Sequence, residues 1–345
     1  VSGTDTDKLP RLTIVVPCYN EEEVLPETVK RLTAVLDRLI ADRLVHGTSV
    51  ALFVDDGSRD KTWSMIESFH GSNRYVTGLK LARNAGHQRA LLAGLMLAKE
   101  TSDCVISIDA DLQDDVDAIR EFMQRYHSGY DIVYGVRQSR KTDTFFKRNT
   151  AVGFYRLMKA MGVNITYNHA DYRLMSRRAL EHLEKFKEVN LFLRGLVPMI
   201  GFRSTEVYYD RHERFAGESK YPLKKMLGFA FDGITSLSVT PIRLVTAAGF
   251  GLFVVSLLAG IYAIVSKLLG NTVSGWASLM VSVWFIGGIQ LVALGLIGEY
   301  IGKIYKEVKR RPLYLIEKEL GRAGGAGGQS PERKDAEGPA RVPAG

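Results

Sequence analysis

Cysteine is nearly absent: Cys18 and Cys104 are the only two in 345 residues. Two thiols cannot build the paired framework of a small secreted domain or a four-cysteine zinc site, so the expected setting is reducing and cytosolic. No G-x-G-x-x-G fingerprint and no G-x-x-x-x-G-K-[ST] loop occurs, so a dinucleotide dehydrogenase and a P-loop ATPase are both poor fits. Any phosphate must therefore be held by a metal and side chains. No fixed-period repeat is present, and the opening residues lack a signal-peptide pattern.

What is present divides unevenly along the chain. The formal charge is +8 and the pI near 9.3, while a mean hydropathy of −0.04 averages a polar first part with a greasy segment after residue 240. The basic excess gathers around that segment, which favours an anionic membrane surface over nucleic acid as its partner. Leu244–Ser266 and Leu268–Gly298 carry no charge. The first is long enough to cross a bilayer core, and the second fits one crossing at about Ser278–Gly298 after a short loop. Arg243 precedes the pair and Lys303, Lys306, Lys309, Arg310 and Arg311 follow it, so the positive-inside rule places both ends in the cytoplasm.

Before the greasy segment, strands and helices alternate. Arg11–Asn20 reads as a strand ending at Pro17, Glu21–Ala41 as a helix, and Ser49–Val54 as a strand running into Asp55-Asp56-Gly57-Ser58. A helix follows from about Lys61, then a strand near Val76–Leu81 and the helix His87–Lys99. The most informative stretch is Cys104–Asp115, CVISIDADLQDD, a β-branched strand that ends in acid. This rhythm predicts an α/β, doubly wound, mostly parallel sheet with its site at the strand C-termini. A helix over Val116–Ser128 and strands over Tyr130–Gly135 and Phe202–Tyr209 complete the reading.

Asp109 and Asp111 are two apart and face the same way on a continuing strand. Two hard oxygen ligands on one side suit Mg²⁺ or Mn²⁺, which takes one or two carboxylates plus substrate phosphates. The competing reading is an acidic turn that caps the next helix, a role that would suffice for Asp114 or Asp115. At the other strand ends, Tyr19 offers a ring for stacking and a carboxylate can accept from a nucleobase or ribose. For Asp55 and Asp56, turn building is the competing role.

The motifs VVPCYNEEE, VDDGSRDKT, ARNAGHQRALLAGL and DADLQDD, in that order, resemble family 2 glycosyltransferases of the GT-A fold. More narrowly they resemble polyprenyl-phosphate sugar transferases, the dolichyl-phosphate mannose synthases and bactoprenol glucosyltransferases, over roughly residues 10–310. The resemblance implies a nucleotide-sugar donor, a divalent metal on Asp109 and Asp111 with Gln113 close by, and donor recognition by Pro17, Tyr19, Glu21, Asp56, Asn84 and Asp109. It further implies acceptor-phosphate or diphosphate ligands among Arg137, Arg148, Arg211, Arg214 and Lys220; Arg137 and Arg148 suit phosphate through the planar guanidinium fork. The run Asn168–Arg173 resembles the family's acceptor element, with Asp171 as catalytic base or acceptor positioner; pairing with Arg173 is the structural alternative. His169 reads as a local hydrogen-bonding residue.

The expected organisation is a flexible N-terminus (1–10), a GT-A domain (11–221), a juxtamembrane amphipathic segment (222–241), two transmembrane helices (242–302), a cytoplasmic basic segment (303–320) and a disordered tail (321–345). The expected activity is inverting transfer of one hexose, with UDP-glucose as modal donor, to a polyprenyl phosphate at the cytoplasmic face of the plasma membrane. Partners are the nucleotide sugar, the lipid and the membrane, with no nucleic acid; a homo-oligomer stays open. A GDP-mannose enzyme is the nearest alternative. A processive polysaccharide synthase ranks lower because no Q-x-x-R-W element occurs, and a non-catalytic membrane scaffold is disfavoured by the intact Asp109 and Asp111.

Overall fold

The structure is a computed structural model that describes residues 9–137, 169–189, 191–210, 235, 238–269 and 275–321. Its strands are β1 (Leu12–Cys18), β2 (Val50–Asp55), β3 (Val76–Leu81), β4 (Cys104–Ser107), β5 (Ile132–Arg137), β6 (His169–Ser176), β7 (Ser204–Tyr209) and β8 (Ile316–Leu320). Its helices are α1 (Leu25–Ala41), α2 (Thr62–Ser72), α3 (His87–Thr101), α4 (Ala118–His127), α5 (Arg177–Leu183), α6 (Leu193–Met199), α7 (Thr240–Leu268) and α8 (Trp276–Lys309). All eight strands form one sheet in the order β7-β5-β6-β4-β1-β2-β3-β8.

β1 and β2 are buried on both faces, which is why they read as unbroken apolar runs rather than alternating ones. Ile14 and Val16 enter the core beneath α1, α2 and α4, whereas Val15 enters the core beneath α3, α5 and α6. The parallel order β4-β1-β2-β3 brings four strand ends to one edge. β6 runs antiparallel between β4 and β5, so the start of β6 and the end of β5 reach that same edge. β7 lies parallel to β5 and ends there too.

β8 is the part the sequence pattern does not disclose. It follows the basic end of α8 and pairs antiparallel with β3, setting Gly78 opposite Leu320 and Lys80 opposite Lys318. Opposed lysines would repel across a ladder; here Lys80 Nζ meets Glu317 at 2.8 Å and Lys318 Nζ meets Glu67 at 2.7 Å. A second tie joins the same end of α8 to the domain, where the Val189 N–H donates to the Glu307 carboxylate at 2.9 Å.

α7 and α8 form the C-terminal hairpin. Phe250, Leu258, Tyr262 and Leu268 on α7, and Leu291, Val292 and Val308 on α8, are all exposed. An apolar surface of that extent requires a nonaqueous environment. Among the described residues, the 25-residue stretch Phe285–Lys309 is long and apolar enough to cross a membrane, with mean hydropathy 1.5 over an 18-residue window. This stretch overlaps the second crossing read from charge and runs on past Glu299. The expected amphipathic segment at 222–241 lies largely outside the described residues.

α3 sits unusually close to the sheet. A Cβ on Gly94 would lie 2.5 Å from Val15 Cγ1 and 2.7 Å from Val54 Cγ2. Both valines are buried and β-branched, with little rotamer freedom to yield. Gly94→Ala would gain about 1 kcal/mol of helix propensity in open solvent. Overpacking here costs more, so we expect net destabilisation of up to ~2 kcal/mol, read as a lower denaturation midpoint of the detergent-solubilised chain; a raised midpoint would refute the close approach.

Candidate active site

The edge where β1, β2, β4 and β5 end gathers the acids. β4 and β6 pair Ser107 with Arg173, and continuing that register sets Asp109 opposite Asp171. The chain leaves β4 under tension: Leu112 is buried yet adopts φ 56°, a left-handed conformation that costs a non-glycine residue about 1 kcal/mol or more. This turn lets the Gln113 N–H donate to Asp111 Oδ1 at 3.2 Å. The loop is tied down from α1, where Thr28 Oγ1 donates to the Ala110 carbonyl at 2.9 Å.

Asp109 and Asp171 face each other in opposite electrostatic states. Burial, with the nearby charges of Asp114, Asp171 and Asp111, pushes the Asp109 carboxyl up to about 6 although His87 opposes this. Burial would also raise Asp171, but the Arg194 guanidinium, the His87 contact and Arg173 hold it well below the usual carboxylate range. Arg173 Nη2 donates to Asp171 Oδ1 at 2.6 Å, and Arg194 donates to the same carboxylate through Nε at 3.2 Å and Nη2 at 3.1 Å. Asp171 is therefore a weak base. The pairing with Arg173 is present, beside a second one with Arg194.

His87 and Arg194 are site residues that the sequence reading passed over. His87 Nε2 stands 3.5 Å from Asp109 Oδ1 and 3.6 Å from Asp171 Oδ2. Burial disfavours its charge, but the contact with Asp171 and the two carboxylate charges push its pKa up to about 9. Its signal was available: it opens a helix directly after a strand end in an α/β sheet. Arg194 lies on the short helix α6, 23 residues from its partner, and no local pattern marks it.

The donor-side residues line the same edge. Pro17 pairs with Val54 near the end of β1, and Tyr19 beyond it is exposed. Asn20 adopts φ 53° and its Oδ1 accepts from the Arg59 N–H at 2.9 Å, while the Glu21 N–H donates to Thr62 Oγ1 at 2.9 Å. These bonds lace the loop after β1 to the loop after β2. Asp56 is buried, and its two oxygens accept from the N–H groups of Ala85 at 2.6 Å and Gly86 at 2.9 Å. Through these bonds Asp56 anchors the turn into α3 and so shapes the wall. Gly57 at φ 68° is needed for the same wall, since a Cβ would lie 2.6 Å from the Asn84 nitrogen. Asn84 itself is exposed beside it. Asp55 is spent on a turn, accepting from the Ser58 N–H at 3.2 Å.

Arg137 ends β5, and its partners are described below with Asp114. Asp115, not Asp114, serves the helix start, accepting from the Asp117 N–H at 2.9 Å. Arg148, Arg211, Arg214 and Lys220 lie outside the described residues. Among the described residues, no group of three or more His, Cys, Asp or Glu side chains is arranged to hold a metal by itself. The donor set still fits a divalent ion of the Mg²⁺ type, which completes its shell with water and substrate phosphate. Burial first, and the neighbouring carboxylates second, disfavour the Asp109 anion, and a divalent ion there would oppose both.

A catalytic edge of this kind on a mixed α/β sheet, with an apolar hairpin appended, defines a membrane-associated sugar-transfer fold. Residues 13–184 match the family described as glycosyl transferase family 2, and residues 240–304 match the GtrB C-terminal hairpin. The chain is 65% identical over 311 residues to the uncharacterized glycosyltransferase YkoT of Bacillus subtilis, covering 90% of this chain and 92% of that protein. It is 40% identical over 310 residues to the SfII prophage-derived bactoprenol glucosyl transferase of Shigella flexneri, covering 89% and 98%. Identity to the uncharacterized glycosyltransferase sll0501 of Synechocystis is 41% over 307 residues, covering 88% and 94%. The chain belongs to glycosyl transferase family 2, and within it to the bactoprenol glucosyl transferase-like members with the GT-A fold and this hairpin.

Removing the charge of Asp171 should be felt in the fold before the chemistry. Asp171→Asn leaves Arg173, 2% exposed, buried without its counter-ion. We expect a loss of roughly 3–5 kcal/mol. The sign with pH follows from the depressed carboxyl: its contribution is present above an unfolded value of about 3.9 and fades as the pH falls toward the lower folded one. Denaturation of the solubilised chain at neutral pH checks this, and an unchanged midpoint would show that Arg173 does not depend on Asp171.

Proposed function

We propose that the enzyme transfers a single hexose from a nucleotide sugar, with UDP-glucose as the modal donor, to a polyprenyl phosphate at the cytoplasmic face of the membrane. The observation that carries this reading is the joining of the Asp109–Asp111 edge to an exposed apolar hairpin through one continuous sheet, by way of β8. A soluble acceptor would give the hairpin no purpose. The Shigella relative is named for bactoprenol, which supports a polyprenyl acceptor, and it aligns over nearly its full length.

The chemistry asks little of a base. A phosphate monoester has its second pKa near about 6 and is already mostly dianionic at neutral pH. It can attack the anomeric carbon directly, inverting that centre as the nucleoside diphosphate leaves. Asp171, weakened as a base by its two arginines, is suited to orienting this side of the site rather than to taking a proton. Asp109 and Asp111, with Gln113 beside them, are the residues that would hold Mg²⁺ or Mn²⁺. When bound, the ion supplies positive charge to the departing diphosphate. Tyr19, Pro17 and the Glu21 loop form the base side of the donor pocket, with Asn84 and the Asp56-held turn as its wall. Arg137, with Arg148, Arg211, Arg214 and Lys220, supplies guanidinium and ammonium groups for the phosphates.

Full-length enzyme in lipid nanodiscs, offered labelled nucleotide sugars and undecaprenyl phosphate with Mg²⁺ or Mn²⁺, should place label in an organic-extractable product, most from UDP-glucose. Asp109→Ala together with Asp111→Ala should reduce turnover by about 10³-fold or more. Transfer surviving in the double variant under chelation would refute the reading.

A further inference from the structure

Asp114 and Tyr209 form a buried unit that neither the metal motif nor the donor pocket uses. Asp114 is 2% exposed and Tyr209 is 3% exposed. Asp114 Oδ1 accepts from the Tyr209 hydroxyl at 2.6 Å, from Arg137 Nη2 at 3.0 Å and from Arg137 Nε at 3.2 Å. The Tyr209 oxygen also lies 3.4 Å from Arg137 Nε. Arg137 and Tyr209 are register partners at the ends of β5 and β7, so the backbone fixes them side by side. Tyr209 is braced in turn by Tyr172, whose ring meets it edge-on at 5.2 Å. The Tyr172 hydroxyl donates to the Asp115 carbonyl at 2.9 Å, closing the unit onto the acidic loop.

The unit carries a cost. Asp114 Oδ2 is buried and has no hydrogen-bond partner among the described residues. A buried polar atom left unsatisfied costs about 1–3 kcal/mol, and an apolar residue would avoid it. What Asp114 gains is control of Arg137. One edge of the guanidinium, Nε with Nη2, is occupied, the group is held firmly charged by Asp114, and among the described residues no hydrogen bond takes Nη1. The side chain is about one-quarter exposed, so an edge remains open to a ligand.

We propose that Asp114 and Tyr209 are positioning residues that fix the plane of Arg137 for the acceptor phosphate. The proposal rests on the reading of Arg137 as a phosphate ligand. A free arginine would present its fork in many rotamers; this socket leaves one orientation. The specificity it confers is for a tetrahedral phosphate arriving at the β5 end of the edge, away from the donor wall at β1 and β2.

The test uses full-length enzyme in nanodiscs with undecaprenyl phosphate and the donor that supports transfer, comparing Tyr209→Phe, Asp114→Asn, Arg137→Ala and the double variant Tyr209→Phe/Arg137→Ala. Tyr209→Phe keeps the ring against Tyr172 and removes only the hydroxyl, so its fold should survive. Expected results are a rise in acceptor KM of about tenfold or more for Arg137→Ala and of ~3–10-fold for Tyr209→Phe and Asp114→Asn. Donor KM should stay within about twofold throughout. The double variant should be no worse than Arg137→Ala alone, because the hydroxyl acts through the arginine. If Arg137→Ala raises acceptor KM while Tyr209→Phe leaves it unchanged, or if the two effects add, the positioning claim falls and the phosphate reading stands. If Arg137→Ala leaves acceptor KM unchanged, the phosphate reading of Arg137 fails first. If Asp114→Asn and Tyr209→Phe raise donor KM as much as acceptor KM, the unit merely supports the acidic loop and the proposal is overturned.

Discussion

Two carboxylates at the abutting ends of antiparallel neighbours organise this molecule. Asp109 follows β4 and Asp171 begins β6, and the pairing of those strands brings them together at one edge. Left alone, two buried acids would repel and one would take a proton. The fold separates their roles by giving Asp171 the arginines and leaving Asp109 exposed to the repulsion. One acid is thereby a fixed structural anion, and the other is left for the cation we propose. Everything else at the edge follows from this division: His87 bridges the two acids, and α6 is placed where Arg194 can reach.

The division also sets what kind of reaction the edge can run. A carboxylate held ionised by two arginines is a weak base, and the phosphate nucleophile we propose does not require one. In that reading charge management falls to a cation on one side and guanidinium groups on the other. Arg137 belongs to the second set, and its socket shows how a positive group can be kept both buried and aimed.

Much of this was legible in the amino-acid order, for identifiable reasons. β1, β2, β3 and β4 are short β-branched runs ending in turn residues or acid, which is a local signal, and the Asp109–Asp111 spacing is local too. What escaped was set by contacts distant in sequence. β8 is five residues of mixed charge, IEKEL, whose strand state comes from pairing with β3 more than 230 residues earlier. The anchoring bonds of Asp56 were not legible because its partners, the N–H groups of Ala85 and Gly86, belong to another loop. Arg194 stands on a short helix without a clear pattern. Asp114 read as a cap because caps are local, whereas its partners lie at the ends of β5 and β7.

The hairpin's attachment is part of the same design. α8 does not simply trail from the domain: Glu307 holds the Val189 backbone, and β8 then enters the sheet. The end of α8 is thereby joined to the catalytic domain by hydrogen bonds as well as by the chain. The central claim remains the division of labour between the two acids. Manganese binding, followed by electron paramagnetic resonance on the full chain with nucleoside diphosphate present, tests it most directly. The account predicts one bound ion per chain, lost when both Asp109 and Asp111 become asparagine. Wild-type binding in that double variant would contradict it.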